Sequence, residues 1–338
     1  MLSEPLKFLR PTVWLTAMLL LCGCASLRHS PEASSHTAES IVTRRYVLHA
    51  DRQISLNAPG FQASGLLQTT TGDLLTINDR GPTLYRVAFR SGAHSAEVVP
   101  VTDCFTASQV APFTPQPPQH LDCEGIAQDP LGRLYICEEG QRWILRCDPA
   151  SGTVERLSVD WTPVAKSFSS DGNASFEGIA IGDGKLYVAN ERSDPLIIVV
   201  DLTSLRIIDS FVIQPLTPSF LGILHYSDLS WHNGHLFVLC RHHRVVLEAD
   251  PATHQVLAEY DYREIEDSLG YRTRYPTGLM EGLAVDDNTV WLVTDNNGLP
   301  RANGDTRPTL IHCPRLDLTS APASQFPARS TPASAHVR

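Results

Sequence analysis

An all-β fold built from five similar units is predicted by three observations: one segment recurs five times, each copy alternates in the period-two manner of strands, and amphipathic helical spacing is scarce. The copies are "ASGLLQTTTGDLLTIND" (63–79), "CEGIAQDPLGRLYICEE" (123–139), "FEGIAIGDGKLYVANER" (176–192), "YSDLSWHNGHLFVLCRH" (226–242) and "MEGLAVDDNTVWLVTDN" (280–296). Their lead residues Ser64, Glu124, Glu177, Ser227 and Glu281 are separated by 60, 53, 50 and 54 residues. A repeat of that size holding several short strands is the pattern of propeller blades. The fold class is therefore a single β-propeller of five blades, six being the alternative count.

Each unit breaks into the same pieces. The second reads "GIAQ", "RLYICE", "WILRCD" and "TVERLSV"; the third reads "GIAI", "KLYVAN", "LIIVVDL" and "RIIDSFV". Val, Ile, Tyr and Leu in alternation favour strands over helices. The fifth unit supplies only "GLAV", "VWLVTD" and "TLIHCP", while "RRYVLHADRQISL" (44–56) stands unassigned ahead of the first. As one N-terminal strand it would complete the last blade, close the ring and protect the final sheet edge. Trp143, Trp231 and Trp291 fall in strand patterns and are expected between blades.

The flanks do not belong to this propeller, which spans 44–316. Residues 1–23 read as a lipoprotein signal peptide: Lys7 and Arg10 precede an apolar stretch, Val13 to Leu21, too short to span a bilayer. The stretch ends in Leu21-Cys22-Gly23-Cys24, which resembles a bacterial lipobox with Cys24 as the lipidated residue. Ala25 after it points, by resemblance to Gram-negative sorting rules, to an outer-membrane lipoprotein in the periplasm. An ordinary secretory signal cut nearby is the alternative. Residues 24–43 suit a flexible tether and 317–338 a disordered tail. Removing 1–23 deletes Glu4, Lys7 and Arg10, taking the net charge from −10 to −11. That acidity argues against nucleic acid as a partner, and a monomer is expected.

Antiparallel blades start their first strand and end their second on one face of the disc. Glu124 and Glu138, Glu177 and Glu191, and Glu281 and Asp295 are each fourteen residues apart. Ser227 to Arg241 keeps the interval, and Ser64 leads to Asn78 and Asp79. Glu124, Glu177, Glu281, Asp79, Glu138, Glu191 and Asp295 should therefore crowd one channel mouth. The long connections between blades emerge on the same face, the turns on the other being minimal. Gly125, Gly178 and Gly282 would permit close packing around the axis. Converging carboxylates need raised pKa values or cations. Three arrangements stay open: a salt-bridge ring with Arg80, Arg142, Arg192 and Arg241, a hard metal such as Ca²⁺, or acid/base chemistry.

The ordered series "SGLL…INDRGP", "CEGIA…LYICEE", "FEGIA…LYVANER", "SDLSW…LFVLCRH" and "EGLA…VWLVTDNNG" resembles the propellers grouped as the esterase-like domain of phytase, and is similar to SdiA-regulated periplasmic propellers. The resemblance implies a calcium-associated propeller that hydrolyses phosphate or other esters. A looser likeness to gluconolactonase propellers implies a divalent metal at the channel mouth. Carried over by residue, the metal ligands would be Glu124, Glu177, Glu281 and Asp295, with Asp79 beside them. The Asp-Asp-Pro-Ala stretch of alkaline phytases has no counterpart, "DDNT" (286–289) lying in a tight turn.

Other chemistries find no support. No Gly-x-Ser-x-Gly elbow, Gly-rich phosphate loop or His-Glu-x-x-His occurs. His225, His232, His235, His242 and His243 should scatter over both faces of one blade rather than bind zinc. Cys104 and Cys123 would staple the long Pro-rich connection as a disulfide, Cys137 and Cys147 being a second candidate pair. Two functions remain. One is a metal-dependent hydrolase using Glu138, Glu191 and Arg241; the other is a non-catalytic module binding a small-molecule ester or an envelope protein.

Overall fold

The computed structural model describes residues 43–315 apart from 59, 91–93, 115–119, 220 and 272–276, and the backbone of 319–320. The signal peptide, Cys24, nearly all of the tether and most of the tail lie outside the described residues. Among those described, no helix is long and apolar enough to cross a membrane.

The N-terminal segment forms two strands, β1 (Arg44–Val47) and β2 (Arg52–Leu56). Blade one follows as β3 (Ala63–Gln68), β4 (Leu74–Asn78), β5 (Gly81–Phe89) and β6 (Ser95–Pro100). Blade two is β7 (Cys123–Gln128), β8 (Leu134–Glu138), β9 (Trp143–Asp148) and β10 (Thr153–Arg156). Blade three is β11 (Phe176–Gly182), β12 (Lys185–Asn190), β13 (Leu196–Asp201) and β14 (Arg206–Phe211). Blade four is β15 (Tyr226–His232), β16 (His235–Cys240), β17 (Val245–Asp250) and β18 (Gln255–Asp261). Blade five has β19 (Met280–Val285), β20 (Thr289–Thr294) and β21 (Thr309–Pro314), completed by β2 antiparallel to β21.

Ring closure differs from the single strand expected over 44–56. Only β2 closes blade five; β1 instead adds parallel to the outer strand β18 of blade four. The chain steps from one blade to the next because Leu48 is buried in the apolar layer between them, its N–H bonded to Asp261 O. The tail returns briefly, Thr319–Ser320 pairing with Tyr46 and Val47.

Five apolar layers separate the five blades, one at each interface. Leu283, Leu292 and Ile311 of blade five meet Phe237, Leu239 and Val246 of blade four. Ile54, Trp291 and Leu310 of blade five meet Leu66, Leu74 and Val87 of blade one, which closes the circle. Each fully buried Leu or Ile contributes about 1.5–3 kcal/mol through removal from water, so the layers rather than the short helices hold the disc. Trp231 stacks on Tyr187 across the interface between blades three and four.

First strands β3, β7, β11, β15 and β19 pack side by side round the axis. They approach so closely that a Cβ on Gly125 would stand 2.7 Å from Ile179 N, and one on Gly178 2.5 Å from Asp228 Cα. Glycine at these positions is thus a condition of closure, as expected for Gly125, Gly178 and Gly282. Blade four departs from the pattern with Asp228, fully buried, whose carboxylate accepts from the N–H groups of Leu66, Leu229 and Leu283 at 3.2, 2.8 and 2.7 Å.

Candidate functional site at the channel mouth

Strand register decides which side chains reach the mouth. Cys123 pairs with Glu138, Phe176 with Asn190, Tyr226 with Cys240, Met280 with Thr294 and Ala63 with Asn78. The residue following each member of a pair continues onto the rim. The inner positions are Ser64, Glu124, Glu177, Ser227 and Glu281, and the outer ones Asp79, Glu139, Glu191, Arg241 and Asp295. Backbone bonds fix the outer set: Asp79, Glu139, Glu191, Arg241 and Asp295 donate N–H to the carbonyls of Gln62, Asp122, Ser175, His225 and Leu279.

Glu138 is therefore not a rim residue, contrary to the uniform spacing of fourteen. The turns at 69–73 and 129–133 lengthen the interval to fifteen in blades one and two. Buried Glu138 instead braces backbone, Oε1 accepting from Asp122 N at 3.4 Å and Oε2 from Gln141 N at 2.6 Å. Glu139 takes its place. Sequence reasoning missed both Glu139 and Asp122, although the longer turn and the acid just before Cys123 were visible signals.

The acidic half of the mouth belongs to blades two and three. Asp122, Glu124 and Glu139 each place an oxygen within 4.8 Å of the others, and so do Glu139, Glu177 and Glu191. Glu139 is common to both groups and also accepts from Ser175 N at 3.0 Å. Such all-oxygen groups could hold a hard divalent cation. Burial and then neighbouring Asp122 push the Glu124 pKa well up; burial and Glu191 do the same for Glu177. Burial carries Glu139 to about 8 against the lowering bond from Ser175.

Two of the rim acids, Glu281 and Glu191, have arginine partners. Arg241 Nη1 ion-pairs with Glu281, and its Nε donates to Gly278 O at 3.1 Å. Arg192 Nη1 pairs with Glu191. Even so, burial outweighs the arginines, leaving Glu281 raised to about 8 and Glu191 to about 7. Asp295 accepts from Asn297 N at 2.8 Å and stays raised by burial. Asp79 is raised to about 7 by burial, then by Asp295 and Asp122; exposed Arg80 at 3.9 Å only weakly opposes this. Glu281, Asp295 and Asp79 thus share the mouth with Glu124 and Glu177 but stand outside both carboxylate groups. Nor do all four arginines join a ring, since Arg142 turns to Ser169 O at 2.8 Å and to the Phe168 ring.

Two of the five histidines converge here. His225 Nδ1 lies 3.0 Å from His242 Nε2, and His225 Nε2 lies 2.8 Å from Glu191 Oε1. Burial pushes both imidazoles down, well below the ordinary value for His225 and to about 3 for His242, so both are neutral. His232 and His235 pair with Asp287 and Glu248 away from the rim.

The disulfide joins Cys104 to Cys147, not to Cys123. Cys123 and Cys137 remain buried thiols. Cys104, Cys123 and Cys147 share the layer between blades one and two, where Cys147 on the third strand lies 5.9 Å in Cα separation from Cys104. Cys137 faces the opposite layer, which rules out its pairing with Cys147.

Comparison with known proteins agrees with this architecture. Glutaminyl cyclase from Myxococcus xanthus superposes with a TM-score of 0.56 at 17% identity, covering 83% of this chain and 100% of that one. Aldose sugar dehydrogenase from Streptomyces coelicolor in its PQQ-bound form gives 0.46 at 13% identity, covering 80% and 98%. Virginiamycin B lyase from Staphylococcus aureus gives 0.39 at 13%, covering 74% and 66%. No curated protein matches the sequence. The family model described as esterase-like activity of phytase matches residues 59–298. The chain belongs to this phytase-like family.

Proposed function

We propose that the chain is an outer-membrane-anchored periplasmic lipoprotein whose channel mouth binds a divalent cation, calcium by its donor set, and hydrolyses phosphate or other esters. The observation that carries this reading is Glu139, shared by two carboxylate groups on one rim. Asp122, Glu124 and Glu139 are the stronger cation holders, because Glu191 of the second group is already paired with Arg192. A bound cation would polarise a phosphoryl or acyl oxygen. Glu191, raised to about 7, has the proton affinity a general base needs near neutrality. Glu177, pushed well above the carboxylate range, keeps a proton to give. Arg241, nearly enclosed beside Glu281, stands where it can face a developing negative charge.

The test is elemental analysis of the purified protein, with hydrolysis of p-nitrophenyl phosphate and p-nitrophenyl acetate followed with and without EDTA. Stoichiometric cation and EDTA-sensitive turnover lost in Glu139→Gln are expected; neither cation nor turnover would overturn the reading. A second reading, a binding module for a small ester or an envelope protein, is favoured by the Arg192–Glu191 and Arg241–Glu281 pairs. It predicts cation binding without turnover. Anchoring is tested separately by palmitate labelling that disappears in Cys24→Ser.

A further inference from the structure

The connection between blades three and four differs from the rest of the surface. From Ser210 to Ser227 it carries no Asp, Glu, Lys or Arg, in a chain that is 19% charged. Of the nine large apolar side chains exposed among the described residues, four fall here: Val212, Leu216, Leu221 and Ile223, 39–47% exposed. Single exposed apolar residues are ordinary, but four on one connection need a reason. Looseness is not the reason, because the backbone that carries them is fastened. Ile213 N donates to Tyr226 Oη at 3.0 Å, and that hydroxyl donates to Ile213 O at 2.8 Å. Buried Glu259 accepts from the N–H groups of Leu216 and Thr217 at 2.6 and 3.1 Å, and Ser219 Oγ accepts from Ile223 N at 3.1 Å. The four side chains are thus held in water by a built loop.

Glu259 also fixes where the N-terminal segment meets the disc. It pairs with Arg45 of β1 at 3.2 Å, and Arg45 Nη2 donates to Thr217 Oγ1 at 3.4 Å. Just ahead, Thr43 Oγ1 donates to Val256 O at 2.8 Å. The path from Cys24 therefore reaches the propeller beside the apolar connection. Nineteen residues, 24–42, lie between Cys24 and Thr43. A flexible linker of that length spans about 25 Å on average and about 65 Å at full stretch. We infer that the exposed side chains of 212–223 enter the surface of the bilayer that holds Cys24, as a second lipid contact. A few apolar side chains with no basic residues among them bind lipid weakly by themselves, and the tether supplies the local concentration that makes the contact persist. The connection runs on into His225, which contacts Glu191 on the rim at 2.8 Å, so this contact turns the channel mouth towards the bilayer.

The inference rests on the anchoring reading for its first attachment, and the experiment keeps the two apart. Leu131, exposed on the minimal turn between β7 and β8, marks the opposite face and serves as the control. Cysteine is placed at 221 or at 131 of the full chain and labelled with the fluorophore NBD, Cys123, Cys137, Cys240 and Cys313 being buried. The lipidated chain is reconstituted into vesicles of phosphatidylethanolamine with a minor share of phosphatidylglycerol. Quenching by nitroxide-bearing lipid and a blue shift are expected at 221, and neither at 131. No quenching at 221, or equal quenching at both positions, would overturn the lipid contact. If palmitate labelling finds no lipid on Cys24, the anchoring reading fails and the loop is judged by flotation of the same chain on these vesicles. A bound fraction reduced at least about tenfold in Leu221→Asp/Ile223→Asp, but unchanged in Leu131→Asp, would keep the lipid contact, with circular dichroism showing a native fold in both. Equal flotation of the two variants would overturn it. So would vesicle-free dimerisation that Leu221→Asp/Ile223→Asp abolishes, which would assign the four side chains to a second copy of the chain.

Discussion

Asp228 accepts the backbone N–H of Leu283 at 2.7 Å, fastening blade four to blade five at the propeller axis. The same carboxylate reaches Leu66 of blade one, where the other four units have a glycine at the equivalent position. Burial pushes its pKa up against the lowering effect of three N–H donors. Asp228→Ala strands those donors in a dry interior, so a stability loss of about 3 kcal/mol or more is expected from urea unfolding. Asp228→Asn, which keeps one acceptor oxygen, should lose less. A loss under about 1 kcal/mol in the alanine variant would show that the axis holds without this fastening.

The acidic rim sets a pH dependence opposite in sign to that of ordinary salt-bridged carboxylates. Glu139 and Glu281 are raised to about 8, and Glu191 and Asp79 to about 7, from ordinary values of 4.5 and 3.8. A carboxyl that binds its proton more tightly when folded favours folding below the unfolded pKa and withdraws that support as pH climbs to the folded one. The cation-free protein should therefore lose stability from about pH 4.5 to about 8. Calcium should restore it most at the alkaline end. Scanning calorimetry across this range, with EDTA and with Ca²⁺, checks both statements; a melting temperature indifferent to pH in EDTA would contradict the first.

Glu138 and Glu139, neighbours in sequence, should behave differently. Glu139 lies in both carboxylate groups, whereas Glu138 holds the backbone of Asp122 and Gln141. Glu139→Gln is expected to weaken Ca²⁺ binding at least about tenfold, since it neutralises a shared oxygen ligand, with the fold retained. Glu138→Gln should lower thermal stability by the equivalent of about 1–2 kcal/mol, through a weakened buried acceptor. Calorimetric Ca²⁺ titration alongside thermal melts separates the two. Equal loss of affinity without loss of stability would place both residues on the rim.

Much of this architecture was legible because repetition is legible. Five copies with strand alternation fixed the blades, and the glycine after each acid announced the narrow axis. The rim was harder, because one extra turn residue in blades one and two displaces every count made along the second strand. That single offset exchanged Glu139 for Glu138. Asp122 was missed for a different reason: it belongs to a connection, outside any strand pattern. Ring closure by two short strands depends on Leu48 finding an interface between blades, and nothing in 44–56 alone says where that interface lies. The joining of His225 to His242 likewise depends on two strand ends meeting, seventeen residues apart, with the neutral rings buried together.

Cysteine pairing offers the last test. The bridge between Cys104 and Cys147 spans 43 residues and ties the connection that ends at Asp122 to the third strand of blade two. Closing a loop of that length restricts the unfolded chain, so its removal in Cys104→Ser should cost about 2–4 kcal/mol. Cys123→Ser breaks no bridge and replaces a buried thiol with a hydroxyl, so its cost should be smaller. Peptide mapping without reduction should recover the 104–147 linkage, and unfolding in urea should rank the two variants. Recovery of a 104–123 linkage, with Cys147 free to alkylation, would remove the tie between this bridge and the segment that delivers Asp122 to the mouth.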